Sequence, residues 1–559
     1  MSCRRPHHDQ ELLFYQTVDE KVKKSPHAAR FFKYIADHLY IPFYKQKQEG
    51  TPPFDRPTMV ALILFGFFKG NFSRDAIVDM HKDSLGANWL LKGMTIPAGR
   101  TVGRIIKDIM DNIDLIFMQI YDLCLNFNLI GGERAFIDGT KSKANASKHK
   151  AMSYKRLEKK VKKNKETIKD LINDFVGYLD NYKELKDDEF KNLITSAAKD
   201  VHKKAKALHQ KQLNTKKEVI FSGQKNTSKK EPEVHKNQQK FFEMINDDEN
   251  IDEVKEALND IGFKLSRQEN MENAKQELET VWKEENGSKE PVPDDKQINF
   301  TDSESKIMPT KHHGIQQCYN NFAMVDEKAN IIIGAYTSNT PNDKQALIPT
   351  IEDAKNCFGP LNGVELGVDC GFYSADNIEY CKKEEIDYFF SIPESESAYG
   401  KDKFEYDEKN DVYICPEGNK LYPPERKHKD AKTRCYKTSD CLDCPVGNKC
   451  TKAKDGIRKI IRNLKKDPIQ EQAEQKSNTK KGKEILKQRK SVSEPVWGNM
   501  RRKDNLIQLH YRGLDNAGKE FKLRAIMQNL RKLFKVFANN PQARHKIENM
   551  GSNSYEDVV

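Results

Sequence analysis

Residues 141–300 are dense in lysine and glutamate, and this stretch sets the strongest limit on how the chain can fold. Its apolar residues form a sparse stripe with spacings of 3, 4 or 7 positions: Leu157, Val161, Ile168, Leu171, Phe175, Leu179 and Tyr182. Such spacing is typical of a long helical hairpin or coiled coil, which buries one narrow seam and leaves its other faces in water. We therefore expect a charged helical arm. A solvated arm is the simpler interpretation of its charge, and contact of its basic face with DNA is the alternative.

Regions richer in apolar residues flank this arm. Residues 1–130 predict a mostly helical domain, with a buried segment at Met59–Phe68 and a second apolar helix over Thr101–Phe127. Beyond this domain the pattern changes to short apolar strands and amphipathic helices, which indicates an α/β fold with a mixed sheet. We place this core in residues 131–140 and 301–403.

Two predicted strands of this core end in an acidic residue. The core elements are expected at Arg134–Gly139, Ile315–Asp326, Asn330–Ser338, Thr340–Cys357, Val364–Asp369, Ser374–Glu384 and Asp387–Ile392. Side chains at the strand ends of an α/β sheet face the crevice where ligands bind. Asp138 and Asp369 could therefore share divalent cations, and oxygen ligands suit Mg²⁺ or Mn²⁺. The alternative is that each aspartate is only a turn or cap residue.

The end of the chain divides into three further segments. A cysteine-rich segment is expected at 404–452, basic helices that complete the core at 453–540, and a loose polar tail at 541–559. The cysteine-rich segment contains one CxxC pair within a set of four candidate ligands: Cys415, Cys441, Cys444 and Cys450. Four thiolates form a closed tetrahedral zinc site. One structural Zn²⁺ and free thiols both remain open, and Cys435 is a spare candidate at a poorer spacing.

Charge and hydropathy exclude several classes of protein. The chain has 96 Lys and Arg against 84 Asp and Glu, and the formal charge of +12 permits a polyanionic partner without requiring one. It lacks any run of about 18 uncharged apolar residues, which argues against a transmembrane helix. We see no signal peptide, so we expect an intracellular protein whose 11 cysteines are thiols or metal ligands. Neither a GxxxxGK[ST] phosphate loop nor a GxSxG nucleophile elbow occurs.

Three blocks resemble the motifs of bacterial insertion-sequence DDE transposases. Asp138 lies in FIDGTKSKANAS, Asp369 in GVDCGFYS and Glu494 in RKSVSEPVWGNMR. Further similarity lies at 302–308, 318–320 and 529–533, and residues 52–102 resemble the InsH-type helical N-terminal domain of this family. The blocks follow the family's order. The sequence departs from the family pattern at Lys487, Lys490, Trp497 and Arg501, where Tyr, Arg, Phe and Lys are usual.

The resemblance implies a ribonuclease H-like catalytic domain. The charged arm would be inserted after its first strand, and the cysteine-rich module would be inserted before the helix that carries Glu494. Asp138, Asp369 and Glu494 would be the catalytic acids and would hold two Mg²⁺ or Mn²⁺ ions. These ions would serve phosphodiester hydrolysis at the ends of the element, followed by attack of the freed 3′-hydroxyl on target DNA.

The resemblance also implies partners and a location. The protein would bind double-stranded DNA, both the terminal inverted repeats of the element and the target DNA. It would do so as a homodimer in a synaptic complex. It would be located in the bacterial cytoplasm, at the nucleoid, and would not associate with a membrane. We expect DNA contacts from a set of basic residues, for which ordinary surface charge is the alternative: Lys141, Lys490, Arg501, Arg502 and Arg512. Two other functions compete, namely a catalytically inactive, domesticated DNA-binding protein and a metal-dependent DNA endonuclease without strand transfer.

Overall fold

The structure, a computed structural model, describes residues 17–24, 26–42, 54–92, 94–178, 191–203, 251–287, 290–310, 314–424 and 432–549. The described residues fall into two compact units. The first is drawn from Met1–Asn145, Met308–Gly314 and Cys318–Val559, and the second from Ala146–Ile307 and Ile315–Gln317.

Along the described chain, helical regions alternate with regions that form small sheets. The helices are α1 (Val18–Lys23), α2 (Ala28–His38), α3 (Arg56–Phe68), α4 (Arg74–Asp83), α5 (Leu85–Leu90), α6 (Gly99–Asp111), α7 (Ile113–Asn126), α8 (Tyr154–Tyr178), α9 (191–203), α10 (Ile251–Asn286), α11 (Leu347–Phe358), α12 (Ala375–Lys383), α13 (Gly447–Cys450), α14 (Lys466–Ser477), α15 (Lys480–Lys503), α16 (Leu514–Asn539) and α17 (Pro541–Glu548). The strands are β1 (Arg134–Lys143), β2 (Ala151–Ser153), β3 (Gln297–Asn299), β4 (Lys306–Thr310), β5 (Gly314–Asp326), β6 (Ile332–Ser338), β7 (Glu365–Val368), β8 (Asp387–Phe390), β9 (Glu405–Asp407), β10 (Val412–Ile414), β11 (Lys420–Leu421), β12 (Thr433–Tyr436) and β13 (Ile460–Asn463).

The predicted apolar run near the N-terminus is α3, a core helix. Every residue from Thr58 to Phe67 is buried, and Asp55 caps the helix by accepting a hydrogen bond of 2.9 Å from the Thr58 N–H. The single helix expected over Thr101–Phe127 is two helices, α6 and α7. Asn112 separates them because its side-chain amide donates to the Asp108 carbonyl at 2.8 Å, and its own backbone leaves the helical region.

The main sheet combines parallel and antiparallel pairs. Its path is β4-β5-β1-β7-β8, and β6 also pairs with β5. β1 is antiparallel to β5 and parallel to β7, and β7 is parallel to β8. The predicted mixed α/β class is confirmed.

β1 is longer than the sequence indicated. We expected a short strand that closes at Asp138, but β1 continues to Lys143. The reason is its antiparallel partner: β5 provides backbone hydrogen bonds over the whole length, from Ala135 opposite Asp326 to Lys143 opposite Cys318. Asp138 therefore lies within β1, whereas Asp369 does follow the end of β7.

The last helices of the first unit pack with the first ones. α16 contains the helix predicted at Phe521–Phe537, and its Phe534 ring lies edge-on to the rings of Phe31 and Phe68. The charged side chains that α16 buries form ion pairs, as in the 2.6 Å contact of Arg531 with Asp504. α16 thus shares one hydrophobic core with the N-terminal helices.

α17 occupies part of the segment expected to be a loose tail. The helix begins at Pro541, and the Asn540 side chain caps it by accepting hydrogen bonds from two backbone N–H groups. It is held near α2 by a 2.6 Å ion pair between Arg30 and Glu548. The rest of the predicted tail, from residue 550, lies outside the described residues.

The second unit contains the charged helical arm. Leu157 of α8 packs with Met271 and Leu278 of α10, as the predicted apolar stripe requires. A second cluster joins α8, α9 and α10, and Gly262 approaches α9 so closely that a Cβ there would be 2.1 Å from the Ala198 carbonyl oxygen. Leu179 and Tyr182 of the stripe lie outside the described residues.

The cysteine-rich segment builds two small sheets, and the second extends beyond the predicted end at residue 452 because β12 pairs with β13, a strand in the region that we expected to be helical. β9, β10 and β11 form one antiparallel sheet, and β12 pairs with β13 in the other. Their small core is formed by Phe404, Tyr413, Leu421, Tyr436 and Ile460.

Among the residues that the structure describes, no helix has both the length and the apolar character needed to cross a membrane.

Candidate active site

Asp138 of β1 and Asp369, which directly follows the end of β7, are brought together by the pairing of these two parallel strands. Ile137 of β1 is in register with Val368 of β7, and the two aspartates are the next residue of each chain segment. Adjacent strands lie about 4.8 Å apart, and residues in register across a parallel pair point to the same side of the sheet. The fold thereby brings together two acids that are far apart in the sequence.

Arg489 of α15 binds both carboxylates. Its Nη2 lies 3.0 Å from Asp369 Oδ1, and its Nη1 lies 3.5 Å from Asp138 Oδ2. The arginine side chain is only 12% exposed, and its Nε is buried without a hydrogen-bond partner among the described residues. The two acids therefore converge on one cation-binding position, which a guanidinium fills.

The electrostatic surroundings of Asp138 oppose its ionisation. Burial raises the pKa of the Asp138 carboxyl above its ordinary value, and the negative charge of Asp369 adds to this effect. The Gly139 N–H, which donates a 2.8 Å hydrogen bond to Asp138, and the charge of Arg489 lower the pKa again. The indole N–H of Trp497 also lowers the pKa of Asp138, but more weakly. This N–H is buried and interacts with the carboxylate without completing a hydrogen bond to any described residue.

Glu494 lies on the same helix as Arg489 but is exposed to solvent. In the sequence it lies between Arg489 and Trp497, both of which face Asp138. Around the helix axis its side chain points about 60° away from that of Trp497. Within the described part of the chain, no three His, Cys, Asp or Glu side chains are grouped closely enough to hold a metal ion. The structure thus brings Asp138 and Asp369 together and places Glu494 on the flank of the adjoining helix, not at ligand distance.

A cavity lined by several basic residues lies along β1 and begins at Gly139, one residue after Asp138. It has a volume of about 620 Å³ and is lined in part by Lys141, Lys143 and Arg501. Arg501, on α15, donates a hydrogen bond to the Thr140 hydroxyl, which fixes the end of this helix against β1. Two of the five basic residues expected to contact DNA, Lys141 and Arg501, therefore line one cavity along the end of β1.

The other three predicted basic residues are exposed elsewhere in the first unit. Lys490 follows Arg489 on α15, and Arg502 follows Arg501 near the end of that helix. Arg512 precedes α16 and donates a 3.2 Å hydrogen bond from Nε to the Asn145 carbonyl. No contact links these three residues to the aspartate pair in the parts of the chain that are described.

Four of the five cysteines in the cysteine-rich segment surround one small cavity. Cys415, Cys441, Cys444 and Cys450 line it, whereas Cys435 lies on β12 opposite Ile461. Each of these cysteines is free of a disulfide bond. The structure therefore collects the CxxC pair and the two further cysteines predicted with it, and it leaves out the spare candidate.

Sequence reasoning did not assign a role to Arg489 or to Lys143. Arg489 lies inside the block that carries Glu494, but its pairing with both acids depends on how α15 crosses β1 and β7. The signal that could have found Lys143 was present: it follows Lys141 by two residues, so the two side chains lie on one face of a continuing strand.

Comparison with known proteins supports part of this site. Residues 414–534 match the family model described as a transposase DDE domain. The match includes Arg489, Glu494 and the four clustered cysteines, and it leaves Asp138 and Asp369 outside. No curated protein and no solved structure matches the chain significantly.

Proposed function

We propose that this protein is a DDE-class DNA transposase, which cuts the ends of an insertion sequence and joins them to target DNA. The observation that carries the proposal is the convergence of Asp138 and Asp369 on Arg489, a residue of the helix that also carries Glu494. The strand arrangement β6-β5-β1-β7-β8 supports it, since this mixed order is that of a ribonuclease H-like fold. The match of residues 414–534 to a transposase DDE domain supports the same class.

The donor set at this site suits divalent metal ions. Two carboxylates already share one cation, and carboxylate oxygens are the ligands that Mg²⁺ and Mn²⁺ prefer. Asp138 and Asp369 would hold two ions, with Glu494 completing the ligand set from the adjoining helix. When bound, such ions supply an activated water or 3′-hydroxyl and stabilise the leaving oxygen at phosphorus.

The protein's own side chains would position the DNA. Lys141, Lys143 and Arg501 present positive charge along the end of β1, where they would bind the backbone phosphates of DNA that reaches the acids. Arg489 holds the two carboxylates together against their mutual repulsion, and its positive charge would be available to the scissile phosphate once metal ions take the position between the acids. Lys490, Arg502 and Arg512 would extend the contact to flanking DNA.

Two further parts of the proposal concern recognition and assembly. The N-terminal helices, which resemble an InsH-type domain in sequence, would recognise the terminal inverted repeats. A homodimer would hold two DNA ends in one synaptic complex, since transposition joins both ends of an element. The protein would act in the bacterial cytoplasm, where its DNA lies.

Incubation of the full chain with Mg²⁺ and a labelled duplex tests the proposal. The duplex carries the inverted repeats that flank the reading frame, and nicked and joined products are separated on a denaturing gel. We expect both products with the wild type and neither with Asp138→Asn or Asp369→Asn, whereas Asp376→Asn, an exposed carboxylate on α12, retains activity.

The same experiment separates the competing functions. Binding of the duplex without nicking supports an inactive DNA-binding protein and overturns the proposal. Nicking without a joined product supports a metal-dependent endonuclease. Retained nicking in either aspartate variant removes that residue from the site.

A further inference from the structure

The cysteine-rich segment contains one small, partly open cavity. Its volume is about 20 Å³, and its wall includes Cys415, Cys441, Cys444 and Cys450. A void of about 10–15 Å³ on this measure accommodates one water-sized sphere. The fold therefore leaves room for a small occupant in a cavity whose lining includes four thiols.

A tight turn presents Cys415 to this cavity. Gly418 has a φ of +85°, a left-handed conformation that a residue with a Cβ adopts only under strain. The turn lets the Asn419 N–H donate a 3.3 Å hydrogen bond to Cys415 Sγ, and the Gly418 N–H donates to the Cys415 carbonyl at 2.8 Å. A backbone N–H aimed at sulfur stabilises a thiolate and fixes its direction, as outer hydrogen bonds do for metal ligands.

A second compact turn presents the other three thiols. Cys444 N–H lies 3.5 Å from the Cys441 carbonyl, and Gly447 N–H donates to the Cys444 carbonyl at 3.0 Å. α13 begins at Gly447 and carries Cys450 at its last position. The three cysteines thus lie on one winding of the chain that faces the Cys415 turn.

Arg458 provides the charge that such a site requires. It lines the cavity, and its Nη1 and Nη2 donate to the carbonyls of Cys450 at 3.4 Å and Tyr399 at 3.1 Å. Its Nε is buried and has no hydrogen-bond partner among the described residues. A guanidinium with an unused buried donor at this position suits an anionic neighbour, since a divalent ion held by four thiolates carries a net negative charge.

We propose that Cys415, Cys441, Cys444 and Cys450 bind one structural zinc ion. Four thiolates leave no open coordination position, so the ion would stabilise the module and take no part in catalysis. Binding releases the four thiol protons and draws the sulfurs inward to about 2.3 Å from the metal. This contraction is needed because no described group of three or more potential ligands is yet at metal-binding distance.

The module has reason to depend on a metal. Its core consists of five buried side chains, and Cys415 and Cys450 pack directly against that core. Its strands have two to four residues each. Such short elements bury little apolar surface, so metal coordination would supply much of the free energy of folding for this segment.

Zinc analysis of the purified full chain tests the proposal. We expect about one zinc per chain by mass spectrometry of the metal content, as a closed four-thiolate site requires. Cys444→Ser should lose most of this zinc. Cys435→Ser is the matched control, since it removes a thiol from the same module but not from the cavity, and it should keep the metal.

A second measurement guards against a Cys444→Ser variant that fails to fold. Wild-type protein that has been stripped of metal is titrated with Co²⁺, whose absorption spectrum reports tetrahedral thiolate ligands. A four-thiolate spectrum that is lost on adding Zn²⁺ supports the site. The proposal is overturned if wild-type protein contains no zinc and gives no such spectrum, with its four thiols reactive or with Cys441 and Cys444 joined in a disulfide. It is also overturned if Cys435→Ser loses as much zinc as Cys444→Ser.

Discussion

Arg489 Nη2 lies 3.0 Å from Asp369 Oδ1, and the arginine side chain is only 12% exposed. The same guanidinium reaches Asp138 at 3.5 Å. The positively charged side chain of Arg489 thus occupies the position between the two acids where we expect metal ions to bind. Metal binding and the ion pairs of Arg489 should therefore compete.

We predict that Arg489→Gln binds Mg²⁺ more tightly and cleaves DNA more slowly. Removing the competing charge should lower the half-saturating Mg²⁺ concentration roughly tenfold, which corresponds to about 1.4 kcal/mol. Calorimetric titration with Mg²⁺ in the absence of DNA measures this directly. Lys483→Gln removes one charge from an exposed position on the same helix and should change nothing. Equal Mg²⁺ affinity in wild type and Arg489→Gln would disprove the competition.

The stability of the protein should depend on the ionisation of Asp138. Burial raises the pKa of this carboxyl, so between the ordinary value of 3.8 and the raised value the folded state holds a proton that the unfolded state has lost. The free energy of unfolding therefore decreases as pH rises through that window. Asp138→Asn lacks this decrease and should be more stable than wild type at neutral pH, with the difference shrinking in acid. Urea unfolding across this pH range measures the difference, and a constant difference would contradict the prediction.

Glu494 should matter for catalysis and not for folding. Glu494→Gln should abolish nicking, because a neutral amide is a poor ligand for Mg²⁺, while its exposed position keeps the change in stability within about 0.5 kcal/mol. Glu484→Gln, another exposed glutamate of α15, is the control and should be fully active. Nicking assays with thermal unfolding of both variants provide the measurements. An active Glu494→Gln would remove this residue from the proposed ligand set.

The basic cavity along β1 should bind DNA phosphates. Lys143→Gln should weaken DNA binding for all sequences alike and reduce the slope of log affinity against log salt by about one, as expected for one lost phosphate contact. Lys383→Gln, at an exposed position on α12, should leave the slope unchanged. Fluorescence anisotropy at several salt concentrations gives the slopes, and identical slopes would place Lys143 outside the interface.

Gly367 should be necessary for the packing of α15 on the sheet. A Cβ at this position would lie 2.6 Å from the Phe136 ring and 3.3 Å from Ile485 of α15. We predict that Gly367→Ala lowers the free energy of unfolding by about 1–3 kcal/mol through overpacking and reduces nicking by displacing Arg489. Gly498→Ala, on the open side of the same helix, meets no atom within 4 Å and is the control. Chemical denaturation of the two variants measures the change in stability, and the nicking assay measures the change in activity.

Local patterns in the sequence predicted many of the elements correctly. The apolar run Met59–Phe68 became a buried helix, and the spacing of Leu157 and its successors became the seam of the charged arm. These features depend on neighbours three or four residues away, so short-range periodicity is enough to find them. Boundaries were less certain: the helix expected from Thr340 begins at Leu347, where the 3₁₀ turn at Asp343–Gln345 ends.

Long-range contacts were beyond these patterns. The length of β1 was underestimated because backbone pairing with β5 continues past the apolar residues. The role of Arg489 could not be inferred because one arginine in a basic segment looks like its neighbours until the helix is packed.

The sequence by itself determined which reactive side chains are present and on which elements they lie. These are acids after apolar strand segments, one CxxC pair with two further cysteines, and basic residues on either side of Glu494. Only the tertiary structure decided which of these groups meet. The parallel register of β1 and β7 sets Asp138 beside Asp369, and two separate turns direct four cysteines into one cavity. Residue type is fixed locally, whereas proximity between distant residues depends on how strands pair and helices pack.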